Sequence, residues 1–233
     1  MSYYNSGNNI QRASPIVFNL IIINALVYLA QLFLKQFDVT ELGALHYYQS
    51  PLFKPVQFVT SMFMHSPSSF GHIIFNMFTL YIFGSMLERF WGSKRFLFFY
   101  LICGLGASVA EQFMVPFSAE KFAQAIVSME GGDTAQLAAM YKEQYSSLGA
   151  SGAIMGLMAA FAYLFPNTEM MILFVPFPIK AKYIVPIYVL IDLFGGLNRT
   201  VGDNVAHFAH LGGALVGFLL VLYWNKTNRD TFY

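Results

Sequence analysis

The chain has 233 residues, of which 57% are hydrophobic, 18% aromatic and only 11% charged, with a net charge of +1. A soluble domain carries about 25% charged residues, and one with a mean hydropathy of +0.54 would expose adhesive apolar patches, so the composition is that of a polytopic membrane protein. The near-neutral charge excludes a nucleic-acid partner, which calls for a basic face. The single cysteine, Cys103, excludes an internal disulfide and reads as a small buried hydrophobe.

In chain order, residues 1–14 form a polar tail without the basic region and cleavage site of a signal peptide. The run PIVFNLIIINALVYLAQLFL, 15–34, predicts a first span, because about twenty apolar residues cross a ~30 Å hydrocarbon core. A mixed region follows at 35–69, whose apolar patch VQFVTSMFM is too short to span and is expected at the interface or tucked against the bundle. Serines at 66–69 mark a helix start by capping free N–H groups, and the second span covers 70–90. A short basic turn holding Trp91, Gly92, Lys94 and Arg95 leads to a third span at 96–115. Residues 116–147 read as a polar loop with two short surface helices around Gly131 and Gly132. The fourth span is 149–165, the fifth roughly 170–195 with an irregular start at Pro176 and Pro178, and the sixth 205–224. The membrane domain is thus 15–225, with a polar tail at 226–233 and no internal repeat. The expected fold class is an all-α membrane protein, a bundle of six transmembrane helices.

Lysine and arginine in the loops orient the bundle. With the N-terminus inside, the inner set is Arg12, Arg89, Lys94, Arg95, Lys180, Lys182, Lys226 and Arg229, against Lys35, Lys54, Lys121, Lys142 and Arg199 outside, eight of the 13 basic residues against five. Both termini are expected to be cytoplasmic.

This topology puts His72, Ser151 and His210 within about two turns of the outer ends of spans two, four and six. Ionisable groups inside a membrane are costly and usually functional. Ala206, His210, Gly213 and Gly217 share one face of span six, and Gly149, Gly152, Ala153 and Gly156 give span four a matching face of small residues. Packing these faces would bring Ser151 to His210, where an imidazole can take the hydroxyl proton and return it. Tyr183 and Tyr188 of span five are candidates to orient that imidazole. His72 and Asn76, spaced i and i+4, suit donation to a developing oxyanion, and the start of span four adds free backbone N–H groups.

Gly149-Ala150-Ser151-Gly152, the spacing from His72 to Asn76, and Ala209-His210-x-x-Gly213-x-x-x-Gly217 together resemble a rhomboid intramembrane serine protease of the bacterial, six-span type. The resemblance covers about 15–225. It implies Ser151 as nucleophile, His210 as general base, and His72, Asn76 and the Ser151 N–H as the oxyanion hole. It implies a structural role for Glu88, Gly92 and Arg95 in the turn after span two. His65 matches a family histidine in the first outer loop and is not expected to be catalytic. The partners implied are single-pass transmembrane protein substrates in a lipid bilayer, at a bacterial cytoplasmic membrane, with no cofactor and no metal. The outer loop lacks the tryptophan–arginine pair of many members; the two tryptophans are Trp91 and Trp224. The 116–147 loop exceeds the family minimum and either touches substrate or, the preferred expectation, decorates the surface.

Three other readings compete. Asp203, His207 and His210 are spaced as three metal ligands on one face, but no HExxH motif accompanies them; His207 is otherwise expected to pack or face the outer surface. A transporter would use membrane histidines as proton relays, but the chain lacks a repeated half and a charged pathway; Asp192 is the only acidic residue deep in spans four to six. An inactive scaffold binding transmembrane segments would be expected to have lost Ser151 or His210.

Overall fold

A computed structural model describes residues 14–171, 177–198, 202–203 and 205–227. Among the described residues six long helical segments make up the bundle: α1 (Pro15–Phe33), α2 (Phe70–Trp91), α3 (Ser93–Glu130), α4 (Ser151–Leu164), α5 (Ala181–Leu197) and α6 (His207–Thr227). Four of them, α1, α2, α3 and α6, are long and apolar enough to cross a membrane. The chain is an integral membrane protein with an all-α bundle, as its composition requires.

The helix starts show how local sequence meets tertiary need. Pro15 opens α1 at a position where its missing N–H is no loss. Ser14, next to it, makes no side-chain cap. Instead the Glu88 carboxylate, from the end of α2, accepts the backbone N–H groups of Ile16 and Val17 at 2.9 Å each and the Ser93 hydroxyl at 2.6 Å. A buried acid thus ties the starts of α1 and α3 to the end of α2. The serines before α2 behave alike: Ser69 precedes the helix but gives it no side-chain cap. Within α2 the ladder widens to a π-turn at Leu80–Gly84. A side chain at Gly84 would come within 2.9 Å of Val17, so the glycine lets α1 lie close.

α3 departs most from the expected layout. It does not stop at 115 but runs unbroken for 38 residues, roughly 57 Å, with Pro116 inside it. Proline removes one hydrogen bond, a local loss, and the stretch after it, SAEKFAQAIVSME, is made mostly of good helix formers. Burial of Ser118, Ala119 and Ala123 adds the packing that a free-standing surface helix would lack. The helix ends at Gly131, whose φ is +79°. A separate helix, Thr134–Gln144, capped by the Asp133 carboxylate, folds back against it, and Tyr47, Val115 and Tyr145 form a small apolar cluster at its end.

The main core lies where α2, α3, α4 and α6 meet, around Leu80, Leu87, Phe96, Phe99, Leu157 and Phe161. Cys103 is buried within it. The patch around residues 57–63 is tucked inward, with Gln57, Ser61 and Met62 buried. A two-residue ladder pairs β1 (Leu45–His46) with β2 (Ser146–Ser147), and a second pairs β3 (Glu169–Met170) with β4 (Ile179–Lys180) before α5. Pro176, expected at the irregular start of span five, lies outside the described residues.

Candidate active site

Ser151 is the first residue of α4. The turn before it is set by Gly149, whose φ of +132° is open to glycine and strained for other residues. The Gly149 N–H is held by the Ser61 carbonyl at 2.9 Å, which pins this turn to the tucked 57–63 segment. Among the described residues no side chain caps α4, which leaves the N–H groups of its first turn without an intrahelical or capping partner.

α6 meets α4 backbone to backbone. A Cβ added at Gly217 would come within 2.6 Å of Gly156 Cα, and one at Gly213 would overlap the Gly152 carbonyl. This approach carries His210 to α4, and its Nε2 lies 2.8 Å from Ser151 Oγ.

The group facing His210 Nδ1 is a carboxylate. Tyr183 and Tyr188, the candidates from span five, are 55% and 42% exposed. Instead Asp192 of α5, buried, places Oδ1 3.0 Å from His210 Nδ1. The same oxygen lies 2.8 Å from Nδ1 of His207, whose Nε2 is 3.0 Å from Asp203 Oδ2. His207 is therefore neither packing filler nor a surface group but a buried bridge between two acids. Asp203, His207 and His210 do not converge on one point, and among the described residues no group of three or more histidine, cysteine or acidic side chains is arranged to hold a metal ion.

On the opposite side stands His72. Its Nδ1 accepts the Ser66 N–H at 3.2 Å, which leaves the ring hydrogen on Nε2. That nitrogen points at the Gly149 turn: a Cβ at Gly149 would lie 3.0 Å from His72 Nε2 and 3.5 Å from Ser151 Oγ. Asn76, one turn on, is buried and donates one amide hydrogen to the His72 carbonyl at 2.7 Å. His65 stands behind His72, the two rings edge to face at 5.3 Å. It is fully buried, with Nε2 2.9 Å from Asn24 Oδ1 and its backbone clasped by Gln31. Burial, and secondarily the charge of His72, hold its imidazole down at about 4.

Glu111 of α3 was not singled out by the sequence, although an acid within the apolar run GASVAEQFMV is itself a signal. It is fully buried, accepts the Ala209 N–H at 2.7 Å and takes the Tyr145 hydroxyl hydrogen. It thus caps the first turn of α6 next to His210 and holds the strand that leads to Ser151.

His72, Asn76, Ser151 and His210 line one open cleft of about 1050 Å³. It is lined also by Phe122 from the extension of α3 and by Leu137, Met140 and Tyr141 of the following helix. The 116–147 region, expected as surface decoration, therefore lines the site. A second recess of about 30 Å³, bordered by Gly149, Gly152, Ala206 and Ala209, adjoins Ser151; it has room for a water or a methyl-sized group.

Fold and side chains together define an all-α integral membrane protein with a hydroxyl, imidazole and carboxylate aligned at one end of its bundle. The rhomboid domain of known families matches residues 53–226, and the chain belongs to the rhomboid family. It is 28% identical over 222 residues to Rhomboid-like protein 11, chloroplastic, of Arabidopsis thaliana, covering 93% of this chain and 68% of that one. It is 29% identical over 164 residues to RHOMBOID-like protein 6, mitochondrial, of the same plant, covering 70% and 41%. It is 28% identical over 228 residues to Rhomboid protease AarA of Providencia stuartii, covering 89% and 72%. The chain spans about two thirds of the first relative and about two fifths of the second.

Proposed function

We propose that this protein is an intramembrane serine endopeptidase that cuts single-pass transmembrane substrates through Ser151 and His210. The observation that carries the reading is the 2.8 Å contact between Ser151 Oγ and His210 Nε2 in a cleft that His72 and Asn76 also line. Membership of the rhomboid family, with a rhomboid protease among the relatives, supports the same reaction.

In that reaction Ser151 Oγ attacks the scissile carbonyl carbon while His210 Nε2 takes the hydroxyl proton. The carbonyl π pair moves onto oxygen, and the oxyanion is received by His72 Nε2–H, the Asn76 amide and the Ser151 N–H. Collapse breaks the C–N bond, the leaving amine takes the proton from Nε2, and a water activated by the same nitrogen releases the acyl group. One lost oxyanion donor costs roughly 10²–10³ in rate.

The cleft opens at the bundle end where α2, α4 and α6 begin, which the lysine and arginine bias makes the outer side, with both termini cytoplasmic. With 14 residues, α4 spans roughly 21 Å of a ~30 Å hydrocarbon core. That supports a recessed Ser151 reached by water from outside. A helical substrate hides its carbonyls, so cleavage favours substrates that unwind near the cut. The small recess beside Ser151 favours small residues there.

Labelling with a fluorophosphonate tests the assignment. The expected result is an adduct on the wild type that Ser151→Ala and His210→Ala both abolish; a serine-independent adduct, or none in an active preparation, overturns it. Equal cleavage of poly-leucine and glycine-containing spans would overturn the unwinding requirement, and equal cleavage after bulky and small residues the role of the recess.

A further inference from the structure

Asp192 lies in the apolar run PIYVLIDLFGG of α5, buried. A carboxylate in such a place is expensive unless paired. Its pairing is specific: Oδ1 faces His210 Nδ1 at 3.0 Å and His207 Nδ1 at 2.8 Å. α5 is shaped to allow this. A Cβ at Gly195, one turn after Asp192, would lie 2.5 Å from His207 Nε2, and one at Gly196 would lie 2.9 Å from the Phe208 ring. The two glycines admit the first turn of α6, and with it both imidazoles, against the acid. His207 is held from its other nitrogen by Asp203, so the shared carboxylate is anchored on the side away from His210.

We propose that Asp192 is a positioning residue for the Ser151–His210 reaction, accepting the His210 Nδ1 hydrogen and thereby keeping Nε2 free to take the Ser151 proton. This rests on the serine–histidine reading above. A neutral imidazole carries one hydrogen on either nitrogen, and only the Nδ1–H form can act as base toward Ser151. An ionised carboxylate can only accept, so at Nδ1 it selects that form. It also faces the imidazolium that exists once the serine proton has moved, stabilising it without itself becoming protonated. Neither effect touches substrate, so the contribution belongs to kcat and not to substrate binding.

Two measurements on the full chain in lipid bilayers test this. Nitrogen-15 spectra of histidine-labelled protein, with His210 assigned by its loss in His210→Ala, are expected to show the His210 hydrogen on Nδ1; a hydrogen on Nε2 in the wild type overturns the proposal without any variant of Asp192. Steady-state cleavage of a transmembrane peptide by Asp192→Asn is expected to show kcat lowered by roughly 10²–10⁴, the upper end matching a soluble triad that loses its carboxylate, with KM within about threefold. An Asp192→Asn enzyme with wild-type kcat, or one changed in KM alone, overturns it. Ser151→Ala is run beside it: peptide cleavage that survives there sinks the serine–histidine reading and the proposal with it, whereas cleavage lost there with a wild-type kcat in Asp192→Asn sinks the role of Asp192 alone.

Discussion

Gly213 of α6 packs against Gly152 of α4 so closely that a methyl group at 213 would overlap the Gly152 carbonyl. The hydrogen bond between Ser151 and His210 is a consequence, because each of these residues is within one turn of that contact. Gly213→Ala is therefore expected to push the helices apart and break the 2.8 Å approach. Overpacking of this kind destabilises by about 1–3 kcal/mol. The measurable outcome is a lower Tm together with loss of fluorophosphonate labelling. Gly217→Ala, a turn deeper against Gly156, is expected to lower Tm similarly while keeping more of the labelling. Equal labelling of the wild type and Gly213→Ala would contradict the link between this contact and the site.

Glu111 supplies the second support of α6. Its two oxygens take the Ala209 N–H and the Tyr145 hydroxyl hydrogen in a fully buried position. Glu111→Gln keeps the volume but turns one acceptor into a donor, leaving a buried group unmatched at a cost of about 1–3 kcal/mol. A lower Tm and reduced cleavage are expected, with Tyr145→Phe milder because it removes a bond without setting two donors against each other. A Glu111→Gln protein as stable as the wild type would show that the cap on α6 is dispensable.

Much of this architecture was readable from residue order. Apolar length alone located α1, expected at 15–34 and found at Pro15–Phe33, and α6, expected at 205–224 and found at His207–Thr227. Small residues on spans four and six pointed to the contact that brings Ser151 to His210, because glycine at helical spacing has few other uses inside a membrane. The missed features depend on distant partners. Pro116 read as a helix end because a local rule cannot see the buried packing of Ala119 and Ala123 that carries α3 onward. Asp192 stood out as an acid in an apolar span, but which residue it meets depends on how α5 is rotated and on the space left by Gly195 and Gly196. Tyr183 and Tyr188, candidates to orient the imidazole, fall on the exposed side of that same rotation.

The cleft residues Leu137 and Met140 come from the helix Thr134–Gln144 and not from the helices that carry His72, Asn76, Ser151 and His210. Leu137→Ala and Met140→Ala together are expected to raise KM for a transmembrane peptide severalfold. Labelling by a small fluorophosphonate, which needs only Ser151 and its immediate surroundings, is expected to proceed at the wild-type rate. Slower labelling would mean that the hairpin supports Ser151 and not substrate; an unchanged KM would return it to surface decoration.

His65 gives the protein a pH dependence of known sign. Burial first, and the neighbouring His72 second, hold its imidazole down from 6.5 to about 4. The folded state therefore binds fewer protons than the unfolded chain between these values, and stability falls as pH is lowered through that window. The difference of about 2.5 units corresponds to roughly 3 kcal/mol for a side chain with no exposed surface. Native carboxylates begin to titrate near pH 4, so the interval from about 6.5 to 5 reports histidines, and the difference between the wild type and a His65 variant reports His65. Thermal unfolding in bilayer-mimicking detergent is expected to show Tm dropping across that interval. His65→Gln offers an amide to Asn24 in place of Nε2 and is expected to flatten the profile. A wild-type Tm constant from pH 6.5 to 5 would show that His65 accepts a proton without opening the fold.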